Sequence, residues 1–190
     1  MTWVDRHGVS SIEYKCGFCS REIASTDGWT SSPNALNNRM NIRICPNCDK
    51  TTFFDFDGNQ IPSPMFGNDI EHLPKDINAL YNEARACMKV QGYTSTVMDC
   101  RKLLMHIAVN CGADTKDLSF QGCVDYLKEH HYTPPGSDEW VDHIRTQGNE
   151  ANHEIVLKTK EDASDLITFS EMLLKFIYEF PTKMKKKKEK

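Results

Sequence analysis

Two cysteine pairs, Cys16-Gly17-Phe18-Cys19 and Cys45-Pro46-Asn47-Cys48, constrain this chain more than any other feature. Two residues between cysteines let both thiolates of a tight turn face one ion, and two such turns supply four sulfurs for a tetrahedral site. A redox CxxC pair normally opens a helix in a βαβ context, and no such pattern surrounds either turn. A rubredoxin-type iron centre is the other rival, and the spacing favours zinc. Cys16, Cys19, Cys45 and Cys48 are therefore the expected ligands of one zinc per chain. With all four positions filled by sulfur, no water can be activated, so the expected role is structural. Cys87, Cys100, Cys111 and Cys123 lie singly on predicted helices and read as small core residues. The N-terminus Met1-Thr2-Trp3-Val4-Asp5-Arg6 has neither a basic nor an apolar leader segment. Thiols without an export signal predict a reducing cytoplasm.

Metal binding also explains how a segment with little apolar content could fold. Between Trp3 and Phe66 no helical period is sustained. Asn41–Ile44 and Thr51–Phe56 read as short strands, and Asp57-Gly58 as a turn leading toward Ile61. Ile61-Pro62-Ser63-Pro64-Met65-Phe66-Gly67 resists both helix and sheet and is the expected linker. Beyond it the period becomes helical, predicting helices over about 76–91, from Thr94 or Ser95 to Cys111, over 120–130, from Ser137 to near Gly148, and over 161–180. Gly112 is the expected stop of the second. Large apolar residues on more than one face make the last helix the expected centre of an up-and-down bundle. The expected fold is mainly α, with a small β-rich, zinc-ribbon-like four-cysteine module at 1–67, a helical bundle at 68–180 and a basic disordered tail at 181–190.

Charge divides the same way. The formal net charge of −4 contains a segment, Glu71–Phe180, with 11 basic and 18 acidic residues. From Pro181 onward six lysines face a single Glu189. An acidic helical body does not present a broad phosphate-binding face. Trp29, Arg39, Arg43, Phe53 and Phe54 could grip nucleic acid locally, but packing around the metal turns is the plainer reading. No apolar run is long enough to span a bilayer, so no membrane partner is expected.

One polar cluster remains, in Trp140-Val141-Asp142-His143-Ile144-Arg145-Thr146-Gln147-Gly148-Asn149-Glu150-Ala151-Asn152-His153. Arg145 offers a cation for a phosphate and His153 a general base for a ribose hydroxyl, which together suffice for metal-independent RNA cleavage. The plainer reading has Gly148 stopping the helix, Asn149 satisfying its last carbonyls and His153 packing on the terminal helix.

Ile144-Arg145, Gly148-Asn149, Ala151 and His153 resemble the I-R-x-x-G-N-x-A-x-H signature of the domain-of-unknown-function family 4145. The likeness extends from Leu73 to Phe180, through Pro74-Lys75-Asp76, Tyr81-Asn82-Glu83-Ala84, Arg101-Lys102-Leu103-Leu104 and Glu161-Asp162-Ala163. Members often carry an N-terminal cysteine module and occur in prokaryotic defence and mobile-element settings. The family is similar to HEPN helical bundles, many of them dimeric RNases with an R-x(4-6)-H motif. The resemblance therefore implies a HEPN-like bundle and a homodimer formed through it, with RNA, DNA or a defence protein as partner. It also implies an endoribonuclease alternative using Arg145 and His153, with Asn149 in support. Seven residues separate Arg145 from His153 here, and Met105 follows Leu104 where many relatives have an acidic residue.

Overall fold

The structure is a computed structural model and describes residues 3–5, 7–34, 36, 38–116, 119–134, 136–153 and 157–188, with backbone alone over 147–153. It divides into two compact units, Met1–Met65 and Phe66–Lys190.

The first unit is an antiparallel meander of β1 (His7–Lys15), β2 (Glu22–Thr30), β3 (Asn41–Ile44), β4 (Thr51–Phe54) and β5 (Gln60–Ile61), neighbours in that order. The sheet curls, because β1 is tied to strands that are not its neighbours. Arg43 on β3 donates to the Ser10 carbonyl (2.8 Å), and Gln60 donates to the Lys15 carbonyl (2.8 Å). Tyr14 meets Phe54 edge-on at 5.1 Å. The small core formed inside this curl contains Tyr14, Cys16 and Cys45. β3 matches the sequence expectation and β4 starts where expected but ends at Phe54, short of the expected Phe56, whereas β1 and β2 carry no such signal.

The second unit is helical: α1 (Lys75–Lys89), α2 (Tyr93–Asn110), α3 (Phe120–Glu129), α4 (Asp138–His153) and α5 (Lys160–Leu174). One π-helical turn, Lys175–Glu179, leads from α5 into α6 (Phe180–Lys188). α1 buries Ile77, Tyr81, Ala84, Arg85 and Met88, a stripe at helical spacing. α2 is the hub: it packs against α1, α3, α4 and α5 and buries Val97, Cys100, Leu103, Leu104, Ile107 and Ala108. The centre is thus α2 and not the last helix, whose Phe176 and Phe180 are exposed.

Several helix ends differ from expectation. α2 starts from Gly92 with no side-chain cap, because the Thr94 hydroxyl accepts from the Lys158 N–H instead. Gly112 does follow its end in a left-handed conformation (φ 108°). α3 is capped by Ser119, and α5 by a reciprocal Thr159–Asp162 box. α4 runs straight through Gly148 and Asn149 to His153, so no break separates Arg145 from His153. The tail expected to be disordered is helical to Lys188, since it continues an established helix and carries its lysines where the helix dipole favours cations.

The segment leading into α1 is pinned to the helices by polar contacts. Buried Arg85 donates to the carbonyls of Phe66 (2.9 Å) and Gly67 (3.0 Å) and to Asp69 (2.7 Å). Glu171 accepts from the Asn68 N–H (2.8 Å) and side-chain amide (2.7 Å) and pairs with Lys175. Burial alone would raise the Glu171 pKa, but hydrogen bonds from Asn68 and the Lys175 ammonium outweigh it and hold the carboxyl below the ordinary value.

Two outcomes follow. Leu104→Ala should lower stability by about 2–5 kcal/mol, while Leu157→Ala at the exposed surface should stay within about 0.5 kcal/mol, both read from urea unfolding at 222 nm. Because the folded pKa of Glu171 is depressed, its contribution is complete above the ordinary glutamate value of about 4.3 and lost as pH falls below it. Glu171→Gln should therefore unfold at lower urea than the parent at neutral pH, with the gap closing in acid.

Candidate metal centre

Each cysteine pair sits in a turn leaving a strand, and the two turns share one backbone design. The Cys16 N–H bonds the Arg21 carbonyl and the Ser20 N–H bonds the Cys16 carbonyl; Cys45, Lys50 and Asp49 repeat the arrangement, all at 2.9 Å. Ser20 and Asp49 both take φ of 58°, the left-handed step that closes each turn. In the first turn the Phe18 N–H also reaches the Cys16 sulfur (3.4 Å).

The four sulfurs lie within 4.8 Å of one another. Cys16–Cys48 and Cys19–Cys45 are each 3.8 Å apart, in free thiols without disulfides. Four sulfurs at about 2.3 Å from a tetrahedral ion lie about 3.8 Å from one another, so the spacing fits a tetrathiolate metal site. Among the described residues this is the one group of three or more His, Cys, Asp or Glu that could hold an ion.

The surroundings prepare the sulfurs unequally. The Arg21 N–H and the Asn47 amide hold Cys19 down to about 6, while burial pushes Cys48 up to about 12 and raises Cys16. Metal binding must therefore displace protons, so acid opposes it. Arg21 also bonds Asn47 directly, tying the two turns together. Gly17 is required by close approach: a Cβ there would lie 2.2 Å from the Pro62 carbonyl oxygen. Trp3 covers the second turn by donating to the Asp49 carbonyl (3.0 Å). Arg21 and Asn47 lay within the cysteine motifs and their flank, but the spacing carries no signal of their mutual bond.

The residues considered for nucleic acid mostly serve this unit. Arg43 is 3% exposed and held by Ser10 and Asn41. Phe54 packs on Tyr14, and Trp29 meets Trp3 edge-on while donating to the Asp5 carbonyl. Phe53 is half-buried, and Arg39 is exposed, donating to the Ser31 carbonyl.

In the helical unit Cys100 and Cys123 belong to the core, with Cys111 packed against it and Cys87 half-buried. Arg145, Asn149 and His153 all ride on α4. Arg145 pairs with Asp142 (3.1 Å) and Asp125 (3.5 Å), next to a Lys128–Asp138 pair (2.9 Å). Its guanidinium is thus already neutralised by two carboxylates. The Thr146 hydroxyl is turned back to the Asp142 carbonyl (3.0 Å). The side chains of Asn149 and His153 lie outside the described residues. Along a continuous helix, positions 145 and 153 are separated by about 12 Å of rise. His106 on α2 is partly exposed and lies 3.7 Å from Asp76.

The model of a family described as a domain of unknown function, DUF4145, matches residues 82–190, more than half of the chain. The chain belongs to DUF4145. The match starts inside α1 and takes in α2 to α6, so the cysteine unit lies outside the DUF4145 region. No curated protein and no solved structure matches the chain. Among the described residues no helix is long and apolar enough to cross a membrane.

Elemental analysis of the purified protein should find one zinc per chain, lost as pH is lowered. Cys45→Ser should reduce the zinc and shift the Trp3 and Trp29 fluorescence while the helical signal of the DUF4145 unit persists. A folded N-terminal unit free of metal would overturn the assignment.

Proposed function

We propose that this protein is a zinc-stabilised interaction module whose helical unit is a HEPN-like bundle. It acts in the cytoplasm, in a prokaryotic defence or mobile-element setting, as a homodimer formed through that bundle. Its task is to recognise a nucleic acid or a defence protein without cutting it. The zinc would be held by Cys16, Cys19, Cys45 and Cys48 and would organise the curled sheet. A closed four-sulfur sphere leaves no site for water activation there.

The observation that carries the non-catalytic reading is the state of Arg145. A phosphate-gripping arginine needs its charge available, and here Asp125 and Asp142 already hold it. The defence setting rests on the family resemblance.

The test is an RNA assay in EDTA, with structured and single-stranded substrates beside Arg145→Ala and His153→Ala. The expected result is no cleavage by dimeric wild type. EDTA-resistant cleavage lost in both variants would overturn this reading in favour of a HEPN-type endoribonuclease using Arg145 and His153.

A further inference from the structure

The end of the helical unit carries a seam that the fold leaves bare. Phe176, Phe180 and Met184 recur every four residues across the π turn and α6, and are 51%, 45% and 55% exposed. Phe176 and Phe180 touch edge-on, with ring centroids 5.6 Å apart. α6 itself buries no residue. Its hold on the rest of the unit is polar, through Lys183 to Glu71 and Lys186 to His72. One turn before Phe176 the seam opens into a groove of about 500 Å³, lined by Phe66, Met172, Phe176 and Phe180, with the Glu171–Lys175 ion pair on its wall.

We infer that this seam binds the same seam of a second copy, α6 against α6, in an antiparallel two-fold pair centred on Phe180. The inference rests on the homodimer proposed above and names its surface. Spacing is the first argument. A two-fold axis at Phe180 sets Phe180 on its own mate and Phe176 against Met184 of the second copy, so one sequence satisfies both sides. It also lays the second copy's Lys188 at Met172, where the aliphatic stem enters the groove.

Charge is the second argument. The described part of α6 carries Lys183, Lys185, Lys186, Lys187 and Lys188, whereas Glu71–Phe180 carries 11 basic and 18 acidic residues. The antiparallel arrangement brings each lysine-rich end over the other copy's net-acidic helical unit, while the groove itself, whose Glu171 is already paired with Lys175, supplies the apolar contact. A nucleic acid would meet the same lysines but also the acidic body, and would leave the apolar groove unfilled. Three half-exposed side chains of this size offer about 300 Å² of apolar surface per copy, less than a permanent dimer buries, so association is reversible at micromolar concentration.

Sedimentation velocity of the full, zinc-loaded chain from about 1 to 200 µM tests the proposal. Wild type should pass from monomer to dimer. Phe180→Asp and Met184→Asp should each weaken association at least tenfold, Lys188→Glu several-fold, and the exposed control Leu157→Asp not at all. Unchanged circular dichroism and melting would show that the variants are folded. A dimer that ignores Phe180→Asp and Met184→Asp overturns this surface and leaves the homodimer standing. A monomer at every concentration overturns both. Monomeric protein that instead co-sediments with RNA or with phosphatidylserine vesicles, and loses this with Phe180→Asp, assigns the seam to another occupant and overturns the proposal.

Discussion

Four sulfurs gathered within 4.8 Å set the terms for everything before Met65. Ionised together at that spacing they repel one another strongly, and protonated together they place polar thiols inside a very small core. A divalent cation removes both difficulties. The apolar cluster around the site contains little beyond Tyr14, Ile12, Ile23 and Phe54, too few side chains to hold five short strands unaided. The curl of the sheet follows from the same constraint: β1 delivers Cys16 and β3 delivers Cys45, so the first and third strands must end at one place. Arg43, Gln60 and the Tyr14–Phe54 contact then close the strands around it.

The helical unit solves a different problem, with enough apolar surface to pack but a long irregular lead-in to secure. Its core is ordinary close packing about α2. The lead-in from Phe66 to Asp69 has no secondary structure, and its backbone groups are satisfied by Arg85, Tyr81 and Glu171. A buried arginine is tolerable because each of its three nitrogens finds an oxygen acceptor, through four bonds to two carbonyls, Asp69 and Asn82. Glu171 and Glu179 are eight positions apart, on either side of most of the π turn. The one takes Asn68 and the other the Glu71 N–H, so the terminal helix and the lead-in stabilise each other.

What could be read from residues alone was whatever depends on local chemistry. Cysteine spacing announced the metal site, and the I-R-x-x-G-N-x-A-x-H residues announced the family. The short apolar runs in Asn41–Ile44 and Thr51–Phe54 showed themselves as strands. β1 and β2 did not, because HGVSSIEYK and EIASTDGWT are rich in polar residues and carry no apolar run, and become strands through pairing. The Thr159–Asp162 box had a signal, Thr-x-x-Asp, beginning two residues ahead of the helix start that apolar periodicity alone marks. Gly148 failed as a stop because glycine in a helix costs only about 1 kcal/mol, less than a continuing helix can absorb. The choice of α2 over α5 as hub depends on which faces meet, and periodicity within one helix does not contain that.

The lysine tail shows most clearly how charge and structure constrain function together. Isolated, a nine-residue lysine-rich segment would not stay helical, since nucleation is costly and like charges repel. Here nucleation is already complete in α5, and Lys183 and Lys186 meet Glu179, Glu71 and His72. The helix therefore projects a basic, aromatic-striped rod from an otherwise acidic body. Such polarity suits a partner that presents acid and an apolar groove side by side. The chain's own helical unit is one, with 18 acidic against 11 basic residues over Glu71–Phe180 and an apolar groove at Phe66 and Met172, whereas a uniform polyanion would meet attraction at one end and repulsion along the rest.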